Sequence, residues 1–205
     1  MYRYFMSRPY KLKKRAEHRD AVRQRIVDAA IKLHQTIGPN ATSMADIAKK
    51  ARVGRVTVYR HFADPDAVAR ACSGQYFARH PPPDALQWAA IADPRARLRA
   101  GLAQAHAYHR STEAMMTRVL AEVREHPVVA PYHALWRATA EVLAAPFALK
   151  GAAAIRLRAA IGLALSFDVW RILIREQGLS DEQALSVVLR LCVAAQEDAH
   201  PTTSR

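Results

Sequence analysis

Residues 43–62 read SMADIAKKARVGRVTVYRHF, and the fold turns on how these twenty positions are read. The Ser43 hydroxyl is placed to cap a helix, with Asp46 three residues on in capping-box position. Met44, Ile47, Ala48 and Ala51 then form one apolar stripe at helical spacing, which predicts a helix of about two turns. Arg52-Val53-Gly54 makes a tight break, and Arg55 to Phe62 follow. The run Val56-Thr57-Val58 scores as a strand on propensity, but a lone strand among helices has no partner for its backbone groups. The stretch therefore reads as two short helices joined by a three-residue turn, an arrangement whose second helix fits a DNA major groove.

Outward from this stretch the chain is helical almost throughout. Alanine occurs 41 times in 205 residues, and apolar side chains recur at three- and four-residue spacing instead of alternating. Upstream, Val22, Ile26, Ala29, Ala30, Leu33 and Ile37 predict a helix over 19–37, stopped by Gly38-Pro39-Asn40. Residues 1–18 interleave Arg3, Arg8, Lys11, Lys13, Lys14 and Arg15 with Tyr2, Tyr4, Phe5 and Tyr10 and read as a flexible basic arm. Downstream, Asp64-Pro65 and Asp93-Pro94 each set a capping acid before a first-turn proline. Pro81-Pro82-Pro83 marks a domain boundary between 19–80 and 84–205. Beyond it the pattern predicts helices at 94–110, 112–126, 130–147, 152–177 and 181–198, the last opened by a Ser180–Gln183 capping box. The fold class is all-α, with about nine helices.

Charge narrows the function. Of the net +13, residues 1–62 carry +11, from fifteen Lys and Arg against four Asp and Glu; the remaining residues are nearly balanced. A one-signed block with few acids suits a polyanion, so nucleic acid is the expected partner, with an anionic membrane surface and an idle, disordered basic tail as the alternatives; the two-helix stretch points to double-stranded DNA. Cys72 and Cys192 form no metal or disulfide pattern, which points to a reducing, cytoplasmic compartment and nucleoid DNA. No apolar run is long enough to span a membrane, and no signal peptide is read at the start. Asn40-Ala41-Thr42 is a coincidental glycosylation pattern in such a compartment. No nucleophile-and-base motif, Walker sequence or metal-binding HExxH is present, so the chain is read as not an enzyme, without cofactor or metal. The alternatives are an all-helical His-metal hydrolase and a DNA-binding protein indifferent to sequence.

In Leu33, Gly38, Thr42, Ser43, Ile47, Ala48, Ala51, Val53, Thr57, Tyr59, His61 and Phe62 the chain resembles, in ungapped register, the tetracycline-repressor-like (TetR) family of bacterial transcription regulators. The resemblance is sharp over about residues 20–70 and architectural beyond. It implies a homodimer with a carboxyl-terminal effector domain that releases an operator, most often as a repressor. It also implies DNA contacts at Ser43, Ala45, Arg55, Val56, Thr57, Tyr59, Arg60 and His61. Chemically, Arg55 can fork onto guanine, the methyls of Val56 and Thr57 suit thymine, and Tyr59 and His61 suit phosphate. Arg52, Lys13, Lys14 and Arg15 add cations. This chain departs from the family pattern at Arg52, where Gly is usual, at Gly54, where a Ser-like cap is usual, and at Pro65, where Lys is common. The turn geometry is accordingly expected to rest on Gly54.

The carboxyl-terminal part supplies two further expectations. Helices 152–177 and 181–198 look like half of an intersubunit four-helix bundle, through Ile155, Ala159, Gly162, Leu163, Leu185, Val188, Leu191, Cys192 and Ala195. An effector pocket is expected among His106, Tyr108, His109, Met115, Met116, Trp136, Phe147, Phe167, Trp170 and Arg171. His106 and His109 have a spacing that can grip metal, but no third ligand is fixed by a motif. The fourth helix, as the sole sequence link between the two parts, is expected to carry the effector signal.

Overall fold

The computed structural model describes residues 7–197, with side chains over 12–196, and shows no strand among them. Ten α-helices follow in order: α1 (Ser7–Thr36), α2 (Met44–Ala51), α3 (Arg55–His61), α4 (Pro65–Arg79), α5 (Ala85–Ala89), α6 (Pro94–Glu122), α7 (Ala130–Ala144), α8 (Gly151–Ala164), α9 (Phe167–Arg171) and α10 (Asp181–Glu197). Single 3₁₀ turns, Pro127–Val129 and Ala145–Phe147, flank α7, and a π turn, Ile172–Glu176, extends α9. No described helix is long and apolar enough to cross a membrane.

The chain divides into two units, residues 1–79 with 114–128, and residues 80–113 with 129–205. In the first, α1 packs on α2, α3 and α4. Its core takes Ile26, Val27 and Ala30 from α1, Ile47, Ala48 and Ala51 from α2, Val58 and Phe62 at α3, and Val68, Cys72 and Tyr76 from α4. Gly38 ends α1 at φ 92°, where an added Cβ would run into the Glu122 carboxylate. That carboxylate accepts from the Asn40 amide at 2.9 Å, so α6 fastens the turn between α1 and α2. In the second unit α8 packs between α7 and α10. Trp88, Leu98, Leu102, Leu143, Leu157, Ile161, Leu165, Val188 and Cys192 are its buried centre. Gly101 permits a close approach there: a Cβ at this position would meet Leu143 at 2.6 Å. Burial pushes the thiols of Cys72 and Cys192 up to about 12.

Caps stand where the residue spacing puts them. The Asp64 and Asp93 carboxylates accept from the Ala67 and Ala96 amides at 2.6 Å each, and Ser180 and Gln183 exchange the two bonds of a capping box. Four expectations are corrected. First, α1 begins at Ser7, so Lys13, Lys14 and Arg15 ride on a helix and not on a flexible arm; residues 1–6 lie outside the described residues. Pro9 falls in the first turn, where its missing N–H costs nothing, and Lys, Leu, Arg and Ala after it are strong helix formers.

Second, one helix, α6, replaces those expected at 94–110 and 112–126. The hydroxyls of Ser111 and Thr112 donate back to the Tyr108 carbonyl at 2.8 Å each and do not cap a new start. Third, the expected helix 152–177 is broken at Leu165–Ser166. The His106 and His109 Nε2 atoms donate to the carbonyls of Ala164 and Leu165, at 3.3 and 2.9 Å, and Ser166 caps α9. The sequence shows no Gly or Pro there because side chains 56–58 positions away make the break. Fourth, α4 is not the sole link, since α6 gives residues 94–113 to the second unit and 114–122 to the first.

Candidate nucleic-acid interface

The α2–turn–α3 segment is set by its ends. Ser43 caps α2 through the Asp46 amide at 3.1 Å, while Asp46 accepts from the Ser43 amide at 3.1 Å, completing the box. The Ser43 hydroxyl, which donates to the Asp46 carboxylate, and then the Ser43 amide hold that carboxyl below its ordinary range. The turn is made by Arg52, which lies in the left-handed region at φ 56°, ψ 49° and donates its amide to the end of α2. Gly54 has φ −71°, a conformation any residue adopts. The expectation that Gly54 carries the turn geometry is therefore overturned: the Arg at the family's usual Gly position adopts the Gly conformation itself, at a cost of about 1 kcal/mol.

α3 is helical despite its β-branched run because one side of it is anchored. Val58 is 0% exposed, and Phe62 is buried beneath the Arg23 guanidinium, 5.0 Å above the ring. The opposite side is open. Val56 is 75% exposed, an uncommon position for a bare isopropyl group, and Arg55 and Arg60 are exposed with it. Tyr59 is half-exposed, with the Arg55 guanidinium 5.7 Å from its ring. Thr57 and His61 sit at the margins of this face. His61 is held below its ordinary value first by burial and then by Arg19, Arg23 and Arg60.

Ser43 and Ala45 are exposed at the start of α2, and Lys49, Lys50 and Arg52 at its end. No ion pair engages Lys50, Arg52, Arg55 or Arg60 among the described residues. Sequence reasoning passed over Lys49 and Lys50, whose place beside the turn at the end of an eight-residue helix was the available signal. What the arrangement offers chemically is a helix with one buried side whose outward side carries two guanidiniums, two methyl-bearing β-branched residues and a phenol.

In the second unit the structure brings together only part of the expected pocket. The His109 ring lies 5.0 Å from Trp136, 5.6 Å from Phe167, 5.9 Å from Trp170 and 6.2 Å from Tyr108, measured between centroids. His106 is buried one turn away. Burial holds the His109 imidazole down at about 4 and lowers His106 as well, so both rings are neutral at neutral pH. Met115 and Met116 fall in the first unit, Phe147 packs against the Trp88–Leu143 core, and Arg171 pairs with Glu176 at 3.1 Å. None of these four belongs to the ring cluster, since α6 continues where a new helix was expected and thereby carries both methionines across the division.

The expected dimer residues also separate. Ile155, Ala159, Gly162 and Leu163 form an exposed stripe on α8, with open space at Gly162. On α10 Leu191 is 43% exposed, but Leu185, Val188 and Cys192 are buried in their own unit and Ala195 is partly so. The exposed side of α10 is instead Val187, Leu191 and Ala194, rotated from the stripe read in the sequence. With apolar residues around much of that helix, spacing alone does not fix which side turns inward.

Residues 26–72 match the model of the family described as bacterial regulatory proteins, tetR family. No curated protein matches the chain. Among solved structures, the fold is shared with a TetR-like transcriptional regulator from Rhodococcus sp. RHA1, at TM-score 0.58 and 20% identity over 86% of this chain and 96% of that one. It is shared also with the fatty acid degradation regulator FadR from Bacillus halodurans, at 0.58 and 17% over 83% and 93%. A third is FadR from Bacillus subtilis in complex with stearoyl-CoA, at 0.56 and 16% over 84% and 98%. The resemblance read from residues 23–62 is thus shown, and the chain has the all-helical fold of TetR-like transcriptional regulators.

Proposed function

We propose that this protein is a dimeric, sequence-specific DNA-binding regulator, acting on nucleoid DNA in the cytoplasm and released from a palindromic operator by a small molecule, as a repressor. The observation that carries the reading is the two-sidedness of α3: Val58 and Phe62 are sunk in the core while Arg55, Val56, Tyr59 and Arg60 face outward. Arg55 forks onto a guanine edge, Val56 and Thr57 meet thymine methyls, and Ser43, Arg52, Tyr59, Arg60 and His61 hold backbone phosphates. Lys13, Lys14 and Arg15, on the amino-terminal turns of α1, track phosphate further along the duplex.

A single such helix reads too few base pairs to be selective, so a second copy is required. The exposed stripes Ile155–Ala159–Leu163 on α8 and Val187–Leu191 on α10 are the surfaces we assign to it. The effector site is the ring cluster around His109, and its signal has both α4 and the continuous α6 to travel through. A neighbour in fold that holds stearoyl-CoA supports the idea of a liganded second unit.

Selection of bound sites from random DNA by the purified protein tests the reading. An inverted repeat with half-sites roughly 10 bp apart, or a multiple, is expected. Recovery of unrelated sequences, together with easy loss of the complex to competitor DNA, would indicate an architectural binder instead.

A further inference from the structure

The ring cluster of the second unit holds four nitrogen atoms that are fully buried and have no hydrogen-bond partner among the described residues: His106 Nδ1, His109 Nδ1, Trp136 Nε1 and Trp170 Nε1. His109 and Trp170 are both 0% exposed. Unpaired buried polar atoms are costly, and a native interior rarely gathers several in one place. The sense of each atom is fixed. An indole N–H only donates. Each imidazole spends its Nε2 proton on a backbone carbonyl, of Ala164 or of Leu165, which leaves Nδ1 of the neutral ring as an acceptor. His109 and the two indoles therefore offer one acceptor and two donors within the ring cluster, and His106 a second acceptor one turn along α6.

We infer that this cluster is a binding site for a small neutral hydroxylated aromatic ring, a phenol, which enters by displacing Trp136. The inference rests on the effector reading above and names the class of molecule. A phenolic hydroxyl gives its proton to an imidazole Nδ1 while its oxygen accepts an indole N–H, and its ring takes the place that the displaced Trp136 ring leaves beside His109, where the two now meet tilted at 53°. A carboxylate can only accept and sets its charge against the Nδ1 lone pairs. An ammonium can only donate and confronts the indole N–H groups. A bare hydrocarbon leaves all four nitrogens as they are. Two nearby cations are already paired: Arg110, over the Trp170 ring at 5.7 Å, with Asp181, and Arg171 with Glu176. Trp136, on α7, is the ring of the cluster that retains exposure, so it is the door.

The test is a titration of the full-length protein with phenol, benzoate, benzylamine and toluene, following the indole N–H resonances of Trp136 and Trp170 by ¹⁵N-edited NMR, with operator retention measured in parallel. Phenol is expected to shift both resonances and to bind at least about tenfold more tightly than the other three, the worth of one well-made buried hydrogen bond. His109→Phe, which keeps a ring and removes the lone pair, should erase that preference. Trp136→Phe, at a part-exposed position, should weaken phenol and spare toluene. Equal or tighter binding of benzoate, benzylamine or toluene overturns the phenol class and leaves the effector site standing. Silence of both indoles to all four probes overturns the class and the site together.

Discussion

Lowering the pH should strip stability from the second unit through one side chain, His109. In the unfolded chain its imidazole titrates at the ordinary value of 6.5, whereas folded it stays neutral down to about 4. Between these values the unfolded chain holds a proton that the folded chain lacks, so acidification favours unfolding. The stability is complete above about 6.5 and disappears as pH falls towards about 4. From about pH 7 to about pH 5 the linkage amounts to about 2 kcal/mol, a large fraction of what a domain of this size holds in reserve. His109→Gln is the control, since its amide nitrogen can still donate to the Leu165 carbonyl but does not titrate. Urea unfolding of both proteins at the two pH values and one fixed protein concentration, followed by tryptophan fluorescence, gives the comparison. His106, Glu113 and the other titrating groups contribute to both proteins, so the wild type should lose about 2 kcal/mol more than the variant. Equal losses would refute the claim that His109 is buried uncharged.

Four further outcomes are expected. Arg52→Gly should stabilise the fold by about 1 kcal/mol and so raise the melting temperature, because glycine has no Cβ to strain the left-handed turn, while lowering the salt dependence of DNA binding; a drop in melting temperature contradicts the turn geometry. Gly38→Ala should lose about 2 kcal/mol or more in urea titrations, since its Cβ meets the Glu122 carboxylate at a positive φ, and a neutral result would show that the turn is not held as described. Ile155→Glu should leave the helical content intact and yield monomers in sedimentation velocity; a dimer that persists means the subunits meet elsewhere. Arg55→Ala should weaken operator binding by about 1–3 kcal/mol and relax preference at one base pair per half-site, whereas uniform weakening on all DNA would make Arg55 a phosphate contact.

What could be read from the sequence was whatever its neighbours along the chain determine. The Ser43–Asp46 box, the caps at Asp64 and Asp93 and the Gly38 stop are short-range chemistry, and each stands where spacing placed it. So does α3, because tertiary anchoring of Val58 outweighs the strand preference of a β-branched run. Long-range features were hidden. Nothing local at Leu165 announces that two histidines on α6 will break the helix, and nothing at Asn40 announces Glu122, 82 positions away. Rotation was the other blind spot: Leu185, Val188 and Cys192 belonged to a plausible stripe that turns inward, while Val187 and Leu191 turn out. The residues most legible as DNA contacts sit on a short helix with a single buried side; those assigned to the pocket sit on helices greasy on several sides.

The two sunken thiols have a practical consequence. With both held at about 12, neither Cys72 nor Cys192 presents a thiolate at neutral pH, so neither competes for a maleimide or a nitroxide reagent. A cysteine placed at Val56 or at Ala138, exposed on α7, is then the reactive one in an otherwise native background. Spin or dye labels at those two positions turn each unit into its own ruler, read across whatever assembly two copies make.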